Sequence, residues 1–340
     1  MWNQVYRNAI RYIDVDSALL KGNPLGDPHQ RRLPVYVPPQ YHEHPQQRFP
    51  VAFYLTGYSG WGDMKVTEQK AWQTPLWAQF DEAIAAGKMA PMLVAFPDCF
   101  TKFGGSQYRN SPVTGQYADH VTDELVPLVD QHFRTLASRD HRAVMGKSSG
   151  GYGSLFLGMT RSDVFGLVCA TAGDSYFELF HLTDCAKAWQ TFEKMGGVEA
   201  FVKQFFEKTS KTSADLTAIM TLACAQAYSP NAHVPVYAAD FPLDLQTGEI
   251  RQDVWQRWLD CDPVHLAPIH AESLKSLRLL YLDAGKSDEW CLNMSHRVLG
   301  KRFKDLGISH ILEEFDAGHM NIDYRILVSL EQISAVFLSA

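Results

Sequence analysis

Short strand-like runs alternate with longer amphipathic stretches along most of the chain. Six runs have the composition and length of strands: 50–57, 91–98, 142–146, 165–173, 277–285 and 309–315. Five stretches have the residue spacing of helices: 76–88, 117–133, 151–160, 292–306 and a last one from about Asp323. Because strands that alternate with helices form parallel sheets, we predict an α/β protein with a mostly parallel central sheet flanked by helices.

Two further stretches near the N-terminus, 6–15 and 31–39, also have strand-like sequences. The second contains Pro34 and ends in two more prolines. Because proline cannot donate a ladder hydrogen bond, it is found mainly in edge strands. We therefore predict that both stretches are edge strands of the sheet.

The connection between the run ending near Ala172 and the run beginning near Leu277 is much longer than the others. It spans about 105 residues, whereas a strand–helix connection normally takes about 2–6. We predict a core of residues 1–175 and 271–340, with a helical cap, residues 176–270, inserted between strands six and seven. The many Trp and Phe side chains of the cap form its own small core, line a lid that binds part of a substrate, or do both.

Composition narrows the classes of function. The 340 residues are 46% hydrophobic and 20% charged, with a net charge of −7. No run of Lys and Arg interleaved with aromatic residues is present, so we expect neither nucleic acid nor membrane partners. No signal peptide or membrane span is recognisable. We expect a cytoplasmic protein that acts on a small molecule, and we leave a homodimer open.

Cysteine and histidine spacing gives no metal signature. The six cysteines are widely separated and form no Cys-x-x-Cys pair, so free thiols are favoured, although the even number also permits disulfides. His42 and His44 could form a metal pair, but no third ligand is evident, and a solvated loop is the better interpretation. We predict neither a metal nor another cofactor.

The stretch "HRAVMGKSSGGYGS" (141–154) places two adjacent serines between glycines, directly after a strand-like run. It contains Gly-Lys-Ser, the end of a phosphate-binding loop, but His141 stands where that motif needs its first glycine. A dinucleotide-binding Gly-x-Gly-x-x-Gly fails too, because Phe156 stands in place of the third glycine. The remaining candidate is the nucleophile elbow, Gly-x-Ser-x-Gly on a strand–turn–helix.

The elbow identifies which serine is the candidate nucleophile. The serine occupies a very sharp turn, so the residues two positions away on each side must lack a Cβ. For Ser148 these residues are Gly146 and Gly150, whereas Ser149 would have Lys147 on one side. We therefore predict that Ser148 is the nucleophile, and that the backbone N–H of Ser149 faces a developing oxyanion.

A serine hydroxyl needs a base to remove its proton and an acid to orient that base, in the chain order Ser, Asp or Glu, His. Three histidines follow the seventh strand: His296, His310 and His319. We favour His319, because it lies in a glycine-containing loop after a strand, whereas the other two fall in a helix and at the start of a strand. Candidates for the acid are Asp288, which we favour, Asp283 and Glu289.

A second oxyanion donor is expected from the turn after the run 50–57. Gly57 allows the backbone to turn there, so the N–H of Tyr58 is the best candidate and that of Ser59 is the next. The alternative is that Gly57 to Gly62 form only a flexible loop.

The segments "FYLTGYSG", "GKSSGGYGSL", "YLDAGKSDEW" and "FDAGHMNIDYR" resemble the esterase D-like group of α/β-hydrolases. This group includes S-formylglutathione hydrolases, enterochelin esterases, feruloyl esterases and mycolyltransferases. The resemblance covers most of 35–175 and 270–330 and implies a triad of Ser148, Asp288 and His319, with Tyr58 and Ser149 as amide donors. It differs at Lys147, where the family often has histidine.

These patterns predict a serine hydrolase of the α/β-hydrolase fold that cleaves carboxylic esters through an acyl-enzyme. Three rival functions share the same motifs: an acyltransferase, a serine peptidase and a catalytically silent binding protein. The last is disfavoured because all three triad residue types are present in the expected order.

Overall fold

The structure is a computed structural model that describes residues 9–67 and 72–338. These residues form ten strands: β1 (Ile10–Asp16), β2 (Gln30–Tyr36), β3 (Val51–Leu55), β4 (Leu93–Ala95), β5 (Asn110–Ser111), β6 (Gly115–Gln116), β7 (Arg142–Lys147), β8 (Leu167–Thr171), β9 (Leu279–Gly285) and β10 (Ile311–Phe315). Eight of them form one sheet in the order β1-β2-β4-β3-β7-β8-β9-β10, and β5 pairs with β6. The pairings from β4 to β10 are parallel, and β1 and β2 are antiparallel to their neighbours.

Helices separate most of the strands. They are α1 (Gln40–Glu43), α2 (Gly62–Thr67), α3 (Leu76–Ala85), α4 (Tyr117–Asp119), α5 (Val126–His132), α6 (Ser149–Thr160), α7 (His181–Lys194), α8 (Val198–Glu207), α9 (Ser213–Tyr228), α10 (Gln252–Leu259), α11 (Pro263–Ile269), α12 (Ala271–Lys275), α13 (Leu292–Asp305) and α14 (Arg325–Leu338). A π-helical segment, His120–Leu125, joins α4 to α5. Pro127, which has no N–H to donate into a regular α-helical ladder, lies just beyond it. Within the described residues, no helix is both long and apolar enough to span a bilayer.

Both faces of the sheet are buried. In β3, Phe53 belongs to an apolar cluster on one face, while its neighbours Ala52 and Tyr54 belong to a cluster on the other. Leu155 of α6 and Phe303 of α13 are part of the first cluster, and Leu330 of α14 is part of the second. The near-continuous apolar runs seen in the sequence follow from this two-sided burial. The predicted parallel sheet flanked by helices is therefore confirmed.

The segment between β8 and β9 contains the six helices α7 to α12. Its apolar side chains, together with Phe103 and Tyr152 from outside the segment, form a separate cluster that includes Phe192, Phe201 and Trp258. A cluster of its own supports the interpretation of these side chains as a small core. The division into a core and a cap stays a prediction.

One strand lies elsewhere than predicted. β1 is at the edge of the sheet, but β2 lies between β1 and β4, so the prediction of an edge strand at 31–39 was wrong. Pro34 is tolerated because its carbonyl accepts from the N–H of Phe96, just beyond the β2–β4 pairing. Since the nitrogen and carbonyl of a strand residue face the same neighbour, the Pro34 nitrogen faces β4, and its missing N–H removes no hydrogen bond between β2 and β1.

Candidate active site

Ser148 occupies a sharp turn between β7 and α6. Its φ is +56° and its ψ is −125°, a conformation that non-glycine residues rarely adopt. The Ser148 N–H donates to the carbonyl of Thr171 over 2.9 Å, and the Ser148 carbonyl accepts from the N–H of Tyr152 over 2.9 Å. These bonds hold a strained turn of the kind that presents a nucleophile above a sheet. The helix after the turn begins at Ser149, two residues earlier than predicted.

The glycines on each side of Ser148 allow the backbones to come close together. A Cβ on Gly146 would lie 2.4 Å from the carbonyl oxygen of Gly150, and one on Gly150 would lie 2.0 Å from the carbonyl oxygen of Leu55. No side chain fits at either position without moving the backbone. The physical reason given for preferring Ser148 to Ser149 therefore holds at both glycines.

Asp288 and His319 form a buried hydrogen-bonded pair. His319 Nδ1 lies 2.8 Å from Asp288 Oδ2, and both residues are at most 6% exposed. Asp288 Oδ1 accepts the backbone N–H groups of Trp290 and Leu292. Burial alone would raise the pKa of Asp288, but its bond to His319, the charge of His319 and these N–H groups together hold that pKa below its ordinary value. The carboxylate is thus well suited to orient the imidazole.

The two alternative acids have other partners. Asp283 lies within β9 and is fully buried, where its carboxylate forms an ion pair with Arg325. Glu289 accepts the backbone N–H of His319 over 2.5 Å. A Cβ on Gly318 would approach Glu289 Oε1 to 2.8 Å, which explains a glycine directly before the histidine. Asp283 has a structural role, and Glu289 positions the loop that carries His319.

The two alternative histidines lie in other surroundings. His296 of α13 is buried with its Nε2 3.0 Å from backbone atoms of Gly173, and burial lowers its pKa to about 4. His310 precedes β10 and its Nδ1 lies 3.0 Å from the carbonyl of Ile308. Neither is bonded to a carboxylate in the way that His319 is.

The turn after β3 lies directly beside Ser148. A Cβ on Gly57 would be 3.5 Å from Ser148 Cβ. The N–H of Ser59 is already bonded to the carbonyl of Gly104 over 2.9 Å. Within residues 9–67 and 72–338, the N–H of Tyr58 makes no backbone hydrogen bond. Of the two candidates from this turn, the N–H of Tyr58 therefore stays the better candidate for an oxyanion donor, and the first helical N–H, at Ser149, stays the second.

The strand register brings the loops of the candidate site to the same end of the sheet, where the parallel strands have their carboxyl ends. Lys147 pairs with Thr171, Thr171 with Asp283, and Gly285 with Phe315, so the loops carrying Ser148, Asp288 and His319 leave the same end of the parallel strands β7, β9 and β10. Burial lowers the pKa of Lys147, and the charge of Lys65 adds to this effect, whereas the charges of Asp323, Asp288 and Glu289 act in the opposite direction.

The Ser148 hydroxyl itself is not yet engaged. Within the part of the chain that the structure describes, no side chain is hydrogen-bonded to it. Contacts between a nucleophile and its base are often long without substrate and tighten in the complex. The triad as a whole therefore remains a prediction.

Sequence reasoning missed a link between this site and the inserted helices. The ring of Trp290 packs edge-on against that of His319, with 4.7 Å between centroids. Its Nε1 donates to Asp184 of α7 over 3.2 Å, and Asp184 also binds Lys187. A tryptophan two residues after the favoured acid was the only signal of this contact in the sequence.

Two groups of side chains contain residue types that bind metals. His42 and His44 are both exposed. Glu178, Asp262 and His265 bring ligand atoms within 4.8 Å of one another, but both Asp262 oxygens already accept backbone N–H groups. All six cysteines are free thiols, as predicted.

Strand order, elbow and the position of the Asp–His pair together define an α/β-hydrolase. A solved ferulic acid esterase superimposes with a TM-score of 0.61 over 96% of this chain and 98% of that chain, at 16% identity. A family model described as putative esterase matches residues 28–329. The chain therefore belongs to that family, which confirms the resemblance inferred from the motifs.

Curated relatives are also named as esterases. An endo-1,4-β-xylanase/feruloyl esterase of Xylanibacter ruminicola is 30% identical over 38% of this chain and 17% of its own length. An iron(III) enterobactin esterase of Dickeya dadantii is 26% identical over 55% of this chain and 42% of its own length. The chain thus matches less than half the length of either relative. Family and names together support a carboxylesterase-type enzyme.

Proposed function

We propose that this protein hydrolyses carboxylic esters of small molecules, with Ser148 as nucleophile, His319 as general base and Asp288 as the group that orients the base. The observation that carries the proposal is the 2.8 Å contact between His319 Nδ1 and Asp288, formed on the same sheet edge as the strained turn at Ser148. A carboxylate bonded to Nδ1 leaves Nε2 free to accept a proton.

The proposed reaction has two stages. His319 Nε2 takes the proton of Ser148 as the hydroxyl oxygen bonds to the acyl carbon, and the N–H groups of Tyr58 and Ser149 stabilise the oxyanion. The alcohol leaves with the proton from the imidazolium. Water, deprotonated by the same imidazole, then attacks the acyl-enzyme, and the imidazolium returns the proton to the Ser148 oxygen as the acid is released. Loss of one oxyanion donor typically costs about 2.7–4 kcal/mol of transition-state stabilisation.

Initial rates with p-nitrophenyl acetate test this proposal, with p-nitroacetanilide as the matched amide. We expect wild-type turnover of the ester, loss of that turnover in His319→Ala, and a much lower rate with the amide. Added methanol separates hydrolysis from acyl transfer, since a transferase would give methyl acetate as the main product. Equal rates for wild type and His319→Ala would contradict the proposed roles.

A further inference from the structure

Beside the candidate active site, four buried polar side chains each have an atom that no other group satisfies. We refer to them as the polar cluster, which consists of Gln107, Asp174, His181 and Tyr228. All four are 2% or 3% exposed. Within the described residues, Gln107 Oε1, Asp174 Oδ1, His181 Nε2 and Tyr228 Oη have no hydrogen-bond partner. Folded proteins rarely leave buried polar atoms in this state, because each has lost its hydration without a replacement.

The members of the cluster lie close together. Gln107 Nε2 donates to Cys224 Sγ over 2.9 Å, and Cys224 is one helical turn before Tyr228 in α9. The rings of Tyr228 and His181 are 5.6 Å apart between centroids. Burial, and in smaller part the charge of Asp174, raises the pKa of both Cys224 and Tyr228. Asp174, three residues after β8, is therefore close enough for its charge to act on both α9 residues.

Asp174 is the member of the cluster that lies next to the candidate active site. Its carboxyl lies near the hydroxyl of Ser149, the residue after the nucleophile, and within reach of the charge of Asp288. The backbone around it is strained, since Ala172 and Tyr176 have φ values of +43° and +53°, and Gln107 has +51°. Strained residues of this kind persist where the surrounding structure holds them, often at binding sites.

All four groups are uncharged near neutral pH. Burial, followed by the charges of Asp288 and Asp184, raises the pKa of Asp174 to about 8. Burial lowers the pKa of His181 to about 3. The cluster thus offers neutral donors and acceptors, walled by the rings of Phe177, Tyr152 and Trp258 around Tyr228. A charged group would lose its hydration there, and the nearby cation Arg109 already donates to Tyr152 Oη over 3.2 Å and lies over the ring of Phe156.

We propose that the polar cluster is the specificity pocket of the site and binds an uncharged hydrogen-bonding group, such as a hydroxyl, on an ester that also carries an aromatic or apolar part. This inference rests on the proposed function. The pocket is built jointly by the sheet edge and by the inserted helices α7 and α9, so the insertion would determine which ester is accepted.

Two ester pairs with the same carbon skeleton test the pocket. The acyl pair is p-nitrophenyl 3-phenylpropanoate and its 4-hydroxyphenyl analogue, and the alcohol pair is 3-phenylpropyl acetate and its 4-hydroxyphenyl analogue. We expect wild-type kcat/KM to favour the hydroxylated member by about tenfold in one pair, the effect of one well-formed hydrogen bond. The pair that responds identifies whether the acyl or the alcohol side enters the pocket. The 4-carboxyphenyl analogue should be the poorest substrate.

Conservative variants distinguish binding from a structural role. Tyr228→Phe should reduce the preference for the hydroxylated ester to near one, and Asp174→Leu should do the same. Asp174→Asn keeps a hydrogen-bond donor and an acceptor, so this variant should retain more of the preference for the hydroxylated ester. Tyr237→Phe is the matched control, because that tyrosine lies in the same insertion but near Asp240 and Glu199.

The outcomes are separable. No preference in either wild-type pair, an equal loss for both members of a pair in Tyr228→Phe, or full turnover of the carboxyphenyl ester would overturn the pocket. Turnover of the unhydroxylated esters reports the proposed function independently. A wild type that hydrolyses no ester would contradict that function, and this inference with it.

Discussion

The two sides of the candidate site differ in how their buried polar atoms are satisfied. On the side of the loops after β9 and β10, Asp288 uses both oxygens, one for His319 and one for two backbone N–H groups. On the side of the inserted helices, the polar cluster keeps four buried atoms without partners in the described structure. The Asp288 carboxylate has all its partners within the protein, whereas in our account a ligand supplies the missing partners of the polar cluster.

This difference matches two separate demands. A base and its orienting acid must be in place before substrate arrives, because reorganisation during the reaction would raise the barrier. Specificity instead requires groups that are satisfied only by the correct substrate, since a wrong one leaves them unpaired. Substitutions on the two sides should therefore have different consequences. Those at the Asp288–His319 pair should lower kcat, and those in the polar cluster should lower the preference for one ester over another.

The largest effect is expected from the twin serines. Ser148→Ala should lower kcat for p-nitrophenyl acetate by about 10⁴-fold or more, because no group remains to form the acyl-enzyme. Ser149→Ala should lower it by less than about tenfold, because the backbone N–H of that residue is kept. Steady-state rates for the two purified variants, compared at equal concentration, decide between them. The reverse pattern would identify Ser149 as the nucleophile.

Replacing each of the two buried aspartates by asparagine should separate an effect on catalysis from an effect on stability. Asp288→Asn should lower kcat by about 10³–10⁴-fold with little change in folding, since the amide favours the wrong imidazole tautomer. Asp283→Asn should instead lower the free energy of unfolding by about 1.5–3 kcal/mol, because it weakens one of the two carboxylate partners of the buried Arg325 and leaves only Glu313 charged. Urea unfolding and kcat, measured on both variants, test this. A fall in kcat alone for Asp283→Asn would contradict the assignment.

Most of the chemistry side could be predicted from the sequence, because its residues follow strands. The glycines around Ser148, the loop of Asp288 and the loop of His319 all lie just after apolar runs, and parallel strands bring such loops to one edge. Even there, pattern alone did not identify Glu289 and Trp290 as the residues that position His319.

The specificity side could not be predicted in this way. Gln107, Asp174, His181 and Tyr228 follow no shared period, and only the packing of α7 and α9 onto the sheet edge brings them together. The inner position of β2 could not be predicted either. The sequence does not show that Pro34 lies at the end of the β2–β4 pairing, where a proline is tolerated.

A pH effect on stability is expected from Asp174. Its pKa is raised to about 8 in the folded protein, so between about pH 4 and pH 8 the unfolded chain has released a proton that the folded chain still holds. Folding stability contributed by this group therefore falls as pH rises through that window. Asn carries no such proton, so the free energy of unfolding of Asp174→Asn relative to wild type should increase from pH 4 to pH 8, by at most about 1.4 kcal/mol per pH unit.

Urea unfolding of both proteins at several pH values checks the sign. His181 titrates in both proteins and cancels to first order in the difference. A difference that stays constant with pH would mean that Asp174 is ionised in the folded protein, contrary to the neutral pocket.

The smallest effect is expected where the two sides meet. Trp290→Phe keeps a ring against His319 but removes the N–H bonded to Asp184. We expect kcat to fall by only about threefold, the size of one modest hydrogen bond acting through position. Trp290→Leu, which also removes the ring contact, should cost more. Equal rates for both variants would show that the contact with α7 does not influence the base.

The most direct test of the account is labelling with a fluorophosphonate, followed by peptide mapping in a mass spectrometer. We predict one equivalent of label on Ser148, none on Ser149, and labelling of His319→Ala that is at least a hundredfold slower, as expected when the general base is lost. Label on another residue, or an unchanged rate in His319→Ala, would contradict the claim that the elbow and the Asp–His pair act as one unit.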